Sequence, residues 1–215
     1  MPRYHLAGRT LLITGSTGGL GTALARALRD RGAHLALLDL DGDLAQRRAA
    51  DLGPETVARG WAADVRDLDC LRVAADAAAD HFGRLDVVVA NAGVRALCDA
   101  TRLEPRHEGV GVGSAHPTFF RTPMMDDVHA DAAGTTLWGG NRAGLWKMIP
   151  LEQVVEAVVT GIERRSPMIV APRRNALPAR IPGLVRPLVD RIGFRGTTVP
   201  DAIARVTGTG WITRR

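Results

Sequence analysis

The stretch TLLITGSTGGLG, residues 10–21, decides how the rest of the chain is read. Its first half is a short apolar run, the pattern of a buried strand, and it ends in a glycine cluster. From Leu20 to Arg31, Leu20, Leu24, Ala27 and Leu28 recur on one helical face, and Gly32 closes the segment. Small residues between a strand and a helix let bare backbone approach a pyrophosphate, whose charge then rests on the helix's first amides. A glycine cluster alone is also an ordinary tight turn, so the neighbourhood has to decide between the two.

Outward from that stretch the chain alternates. Ala33–Asp39 reads as a second strand, Gly42–Leu52 as a helix, Val57–Ala63 as a strand, Leu68–Phe82 as an alanine-rich helix and Leu85–Ala90 as a strand. Strands and helices at this spacing predict βαβ units and a parallel sheet, an α/β fold. Further on, Arg95–Glu104 reads as a helix, Gly109–Ala115 as a strand, Pro117–Lys147 as loop, Leu151–Arg165 as an amphipathic helix and Met168–Ala171 as a last strand. An acid, Asp39, ends the second strand eighteen residues past Gly21. There a carboxylate can bond the ribose hydroxyls of a dinucleotide and repel a 2′-phosphate. With no basic residue in the glycine loop, the expected cofactor is NAD rather than NADP.

Composition narrows the class. The chain has 215 residues, enough for one α/β domain with a sizeable core. No apolar run reaches the ~18 residues of a membrane span, and the start MPRYHLAGRT carries no signal-peptide core, so a cytoplasmic protein is expected. Cys70 and Cys98 form neither a metal nor a CxxC spacing and read as buried thiols. The net charge of +5 is concentrated at the end: residues 172–215 hold nine arginines and two aspartates. The domain expected over residues 1–171 is therefore slightly acidic, with no nucleic-acid footprint. In the 172–215 extension, Leu177, Ile181, Leu184, Leu188 and Ile192 fall at helical spacing between arginines. Such a stretch can lie on an anionic membrane or cover the protein's own core or a neighbouring subunit, and the second reading is preferred.

Four motifs, in order and each at a strand end, resemble those of the short-chain dehydrogenase/reductase family. They are TGxxxGxG (Gly15, Gly19 and Gly21), Asp64-Val65, Asn91-Ala92-Gly93, and HPTFFRT over residues 116–122. The last resembles the family's PGxxxT segment, with Thr118 in place of a glycine. The resemblance implies a Rossmann-like doubly wound sheet with NAD on Gly15, Ser16, Gly19, Leu20, Gly21 and Asp39. It also implies Asp64 and Val65 at the adenine, and Asn91, Ala92, Gly93, Pro117 and Thr122 along the rest of the cofactor. The activity it implies is oxidation of an alcohol or reduction of a ketone, with Phe119, Phe120, Met124 and Met125 suiting an apolar substrate.

One part of the family pattern is missing. Members carry a Ser on a fifth strand and a YxxxK motif on the next helix, whereas this chain has one tyrosine, Tyr4, and one lysine, Lys147, neither in such a motif. No catalytic residue is therefore assigned. RALCDATRLEPRHEGVGVGSAHP, residues 95–117, looks like the part that normally follows YxxxK, as if a segment were deleted between Val94 and Arg95. Six strands are then expected, with the usual fifth missing and Leu85–Ala90 lying beside Gly109–Ala115. The deleted helices are those with which the family usually dimerises, which puts a homo-oligomer in doubt. His116 as a substitute proton carrier is outweighed by an ordinary strand-end histidine. Asp126, Asp127, His129 and Asp131 read as a solvated loop with no metal spacing. The alternatives to an impaired oxidoreductase are a non-catalytic NAD-binding protein and an inactive deletion product.

Overall fold

The computed structural model describes residues 3–91, 113–131 and 147–176. In that order the elements are β1 (Thr10–Thr14), α1 (Gly19–Asp30), β2 (His34–Asp39), α2 (Gly42–Ala50), β3 (Ala58–Ala62), α3 (Leu68–Phe82) and β4 (Val87–Val89). They continue with β5 (Ser114–Pro117), α4 (Pro123–Ala130), α5 (Leu151–Glu163) and β6 (Met168–Ala171). The chain divides into two compact units, one holding residues up to Ser114 with Val155–Ile169, the other Ala115–Val154 and the residues from Val170 on.

In the first unit a four-stranded sheet has the order β3-β2-β1-β4, and all three pairings are parallel. The alternation of side chains in a strand assigns its faces. Leu12, Ala36, Leu38 and Ala63 pack with Ala74 and Ala78 of α3, with Trp61 and Phe82 at the margin. On the other face Leu11, Ile13, Leu35 and Leu37 are at most 1% exposed, and α1 and α2 contact the strands there. Deletion of any of these leucines beyond Cβ leaves a cavity costing about 2–5 kcal/mol. Arg31, past the C-terminus of α1, ties that helix to α5 through Glu156 (3.0 Å) and Glu163 (2.9 Å).

Asp86 fixes where β4 begins. Its carboxylate, 8% exposed, accepts from Arg9 (2.9 Å), from Arg84 and from the Thr10 N–H (3.0 Å), so it joins the starts of β1 and β4. Burial pushes the acid up, but the bonds from Arg84, Thr10 and Arg9 outweigh it and hold the pKa at about 2. A depressed carboxylate adds stability above its unfolded value, near 3.9, which is lost as pH falls through the folded one. Asp86→Asn is therefore expected to cost about 2 kcal/mol at neutral pH. Urea titrations should show the gap to the parent chain closing between about pH 5 and pH 2.

Two expectations need correction. Among the described residues β4 is the last strand of its sheet, and β5, which holds the end of the strand expected beside it, pairs with β6 instead. Gly113 lies so close to the Ser166 carbonyl that a Cβ would sit 2.5 Å from it, and Ser114 N–H donates to Pro167 O at 3.1 Å. Residues 95–104 and 109–112, which carry the expected helix and most of the expected strand, lie outside the described residues. β4 is left three residues long. Val88, the register partner of Leu12, is 59% exposed although Leu12 is 3% exposed, so the α3 face of the sheet is bare at this strand.

The second correction is α4, which occupies part of the stretch read as loop. Thr122 caps it by accepting from Met125 N–H at 3.3 Å, and Pro123 opens its first turn. Asp126 stands in that first turn and His129 in the last. Asp126, Asp127 and His129 are thus helical, and Asp131 ends the helix.

Candidate functional site

The C-terminal ends of β1, β2 and β3 form one edge of the first unit, and most of the sequence-predicted binding residues are gathered there. Gly15 leaves β1 with φ +61°, a conformation open to glycine, and the chain turns into α1. Gly21 lies in the first turn of that helix directly against the loop: a Cβ there would collide with the Gly15 carbonyl and stand 2.8 Å from Ser16 Cα. Gly18, the N-cap, supplies no side-chain acceptor, whereas α2 and α3 are capped by Asp41 and Asp67. The first amides of α1 are thus left without a side-chain cap, beside the exposed Gly18 and Gly19.

Around this loop the side chains divide into braces and open groups. Ser16 is fully buried, and both its N–H and its hydroxyl donate to Leu38 O at 3.2 Å, so it braces the loop rather than offering its hydroxyl outward. Thr22 donates to the Ser16 and Thr17 carbonyls. Asn91, at the end of β4, donates its amide N–H to Thr14 Oγ1 and its side-chain NH₂ to Gly15 O, both at 3.1 Å. Ala92 and Gly93 lie outside the described residues.

Asp39 ends β2 and is joined to the loop. Its Oδ2 accepts from Thr17 N–H (3.0 Å) and Thr17 Oγ1 (2.8 Å), and its Oδ1 accepts from Leu40 N–H (2.9 Å). Thr17 was not singled out by sequence; its position three residues past the end of a strand holding no charge partner gives no signal until β2 lies alongside. One strand further out, Asp64 follows β3 with Val65 beside it, half-buried. The Asp64 carboxylate is forked by Arg66: Oδ1 accepts from Arg66 N–H (2.9 Å) and Nε (3.0 Å), Oδ2 from NH2 (2.7 Å). Those bonds from the Arg66 side chain and backbone hold the acid at about 2. Leu40 and Leu68, exposed at 67% and 70%, follow Asp39 and open α3.

Two further predicted residues belong to the second unit. Half-buried Pro117 ends β5 and Thr122 caps α4, both in the second unit. Tyr4 lies before β1, at the opposite end of that strand from the glycine loop. Its ring is flanked by the Arg9 and Arg165 guanidiniums, 5.3 and 4.8 Å from the centroid, and its N–H donates to Glu163 O. Lys147 is exposed in the second unit. Tyr4 therefore does not replace the missing tyrosine at the glycine loop. Among the described residues no cluster of His, Cys, Asp or Glu could hold a metal, and no helix is long and apolar enough to cross a membrane.

A glycine turn braced from four sides, an uncapped helix start and a strand-end acid bonded to the turn are the parts of a dinucleotide crevice. The family model for short chain dehydrogenase matches residues 9–107, which contain all of them. Over those residues the chain is similar to the short-chain dehydrogenase family. It is similar to D-threitol dehydrogenase of Mycolicibacterium smegmatis, 43% identical over 101 residues, 46% of this chain and 39% of that protein. It is also similar to a probable galactose dehydrogenase, GalD, of Rhizobium meliloti, 27% identical over 84% of this chain and 73% of the other. The matched stretch spans well under two thirds of the first of these relatives. Among solved structures, a short-chain dehydrogenase/reductase from Burkholderia phymatum in complex with NAD superposes with a TM-score of 0.66. It is 18% identical and covers 86% of this chain and 96% of its own. The NADP complex of Pseudomonas aeruginosa RhlG gives 0.65 at 17% identity, over 79% and 97%. At these identities the likeness establishes the Rossmann-like fold.

Proposed function

We propose that this chain binds NAD through Gly15, Gly19, Leu20, Gly21 and Asp39, with Asp64 and Val65 at the adenine end, and that it turns over alcohols or ketones poorly or not at all. The observation that carries the binding half is the bond between Asp39 and Thr17, which makes the phosphate turn and the ribose acid one unit. A pyrophosphate on the α1 amides then has its adenosine ribose at Asp39, and the carboxylate that accepts the ribose hydroxyls repels a 2′-phosphate. NAD is therefore preferred to NADP. Asn91, Ala92, Gly93, Pro117 and Thr122 are proposed, from the resemblance alone, for the rest of the cofactor.

When bound, the nicotinamide supplies hydride acceptance or donation. The chain's own part would be to orient an alcohol and move its proton, and the family does this with Ser, Tyr and Lys. Tyr4 is held between two arginines at the far end of β1, so no phenol serves here. Loss of an internal segment after Val94 is the reading we favour, and the bare Val88 supports it, since a family member would cover that face with helix.

Thermal unfolding with and without NADH tests the proposal. At a hundred times its dissociation constant a native-state ligand adds about 2.7 kcal/mol, a rise of roughly 5–10 °C for a chain of this size. NADPH at equal concentration should raise the midpoint less, and a panel of alcohols and ketones should give no steady turnover. A melt indifferent to NADH would leave the second reading, a deletion product that keeps the fold of its family and none of its binding.

A further inference from the structure

We propose that Arg66 sets the purine selectivity of this site, blunting a preference for adenine over hypoxanthine that Asp64 alone would impose. The inference rests on the dinucleotide reading above. The direction of the base follows from the sheet order. With the pyrophosphate at β1 and the ribose at β2, the base extends away from β1, over the end of β3, after which Asp64 stands.

A carboxylate at that place reads a purine by what stands on its six-position. Adenine presents an amino donor, which an anionic acceptor attracts. Hypoxanthine presents a carbonyl, which it repels. In this chain the acceptor is largely spent. A carboxylate has about four lone-pair sites; Arg66 N–H and Nε take both on Oδ1, and Nη2 takes one on Oδ2, which Nε also reaches at 3.2 Å. The two residues are only two apart in sequence and the backbone N–H shares in the contact, so little chain entropy opposes the fork. What the edge offers a base is a neutralised pair, one acceptor site on Oδ2 that only the shared Nε reaches, next to a guanidinium that is 81% exposed and has further N–H donors. Adenine can use the acceptor and hypoxanthine the donors.

The test is a binding titration, by nicotinamide fluorescence, of NADH against reduced nicotinamide hypoxanthine dinucleotide. The full chain should bind the two within about threefold, as expected of an exposed, neutralised pair. Arg66→Ala frees the carboxylate and should raise the preference for NADH to about tenfold or more, the size of a hydrogen bond to a charged acceptor. Because Arg66 is exposed, the fold should not suffer. The double variant Asp64→Ala, Arg66→Ala should return to within about threefold. A parent chain that already prefers NADH tenfold, an Arg66→Ala ratio equal to the parent's, or a preference that survives in the double variant would each overturn the proposal. If neither dinucleotide binds any of the three chains, the dinucleotide reading itself fails and carries this one down with it.

Discussion

Gly60→Val should lower the stability of the chain by about 3 kcal/mol, the upper end of what an overpacked core costs. For a chain of this length that is a fall of roughly 6–12 °C in the unfolding midpoint. The reason is steric. Gly60 sits in β3 under α2, and a Cβ there would meet Ala45 and Gln46 backbone atoms, with Gln46 Cα at 2.6 Å. Backbone of a helix cannot step aside as a side-chain tip can. The seam is tight from both sides, since a Cβ on Gly42 of α2 would stand 2.8 Å from the Cβ of Ala62 on β3. Gly60 also donates its N–H to Gln46 Oε1 at 2.8 Å, a bond that a displaced α2 would break. Valine suits a strand conformation well, so a loss of this size could not be blamed on strand propensity. The effect should reach the site. α2 begins three residues after Asp39, and moving the helix moves that acid, so NADH affinity should drop together with the midpoint. Urea unfolding and an NADH titration on the same preparation check both parts; a valine variant as stable as the parent would mean that α2 does not rest on β3 in this way.

Much of this was legible before any coordinates, for physical reasons that differ from element to element. β1 and β6 run over the expected residues because an apolar run bounded by glycine or proline leaves little choice of register. α3 does too, since Asp67 before it and Gly83 after it, at φ +73°, are strong stop signals on both sides. α4 was missed, although Thr122-Pro123 carries a start signal of its own. Its short, weakly apolar sequence between glycine-rich stretches hid it. The partner of β5 was missed for another reason. Which strand lies next to which is a long-range choice that no periodicity reports; β5 lies against β6, with Gly113 close to the Ser166 carbonyl. At the site the glycines and the two acids were readable from spacing. Thr17 and Arg66 were not, because what makes them matter is the neighbour that the fold supplies. Ser16 shows the converse: adjacent to the right glycine in sequence, its hydroxyl turns inward to Leu38.

Gly21→Val should abolish NADH binding within any practical concentration range and also cost about 3 kcal/mol of stability. The first part follows from what the side chain would strike. The Gly15 carbonyl and Ser16 Cα are backbone atoms of the turn itself, so the turn must lift off α1. Lifting it withdraws the acceptors that hold it, since Thr22 bonds the Ser16 and Thr17 carbonyls and Asn91 bonds the Gly15 carbonyl. Thr17 then leaves Asp39, and the phosphate turn and the ribose acid cease to be one unit. Gly18→Ala separates this account from a general intolerance of side chains in the loop. A Cβ at Gly18 would meet only the Gly15 carbonyl, at an ordinary 3.5 Å, and the residue is exposed. That variant should melt within about 0.5 kcal/mol of the parent, as most exposed substitutions do. Melting curves of the three chains, each with and without NADH, read both effects at once. If Gly21→Val still gains several degrees from NADH, the cofactor does not rest on this turn, and the binding site must be sought away from the end of β1.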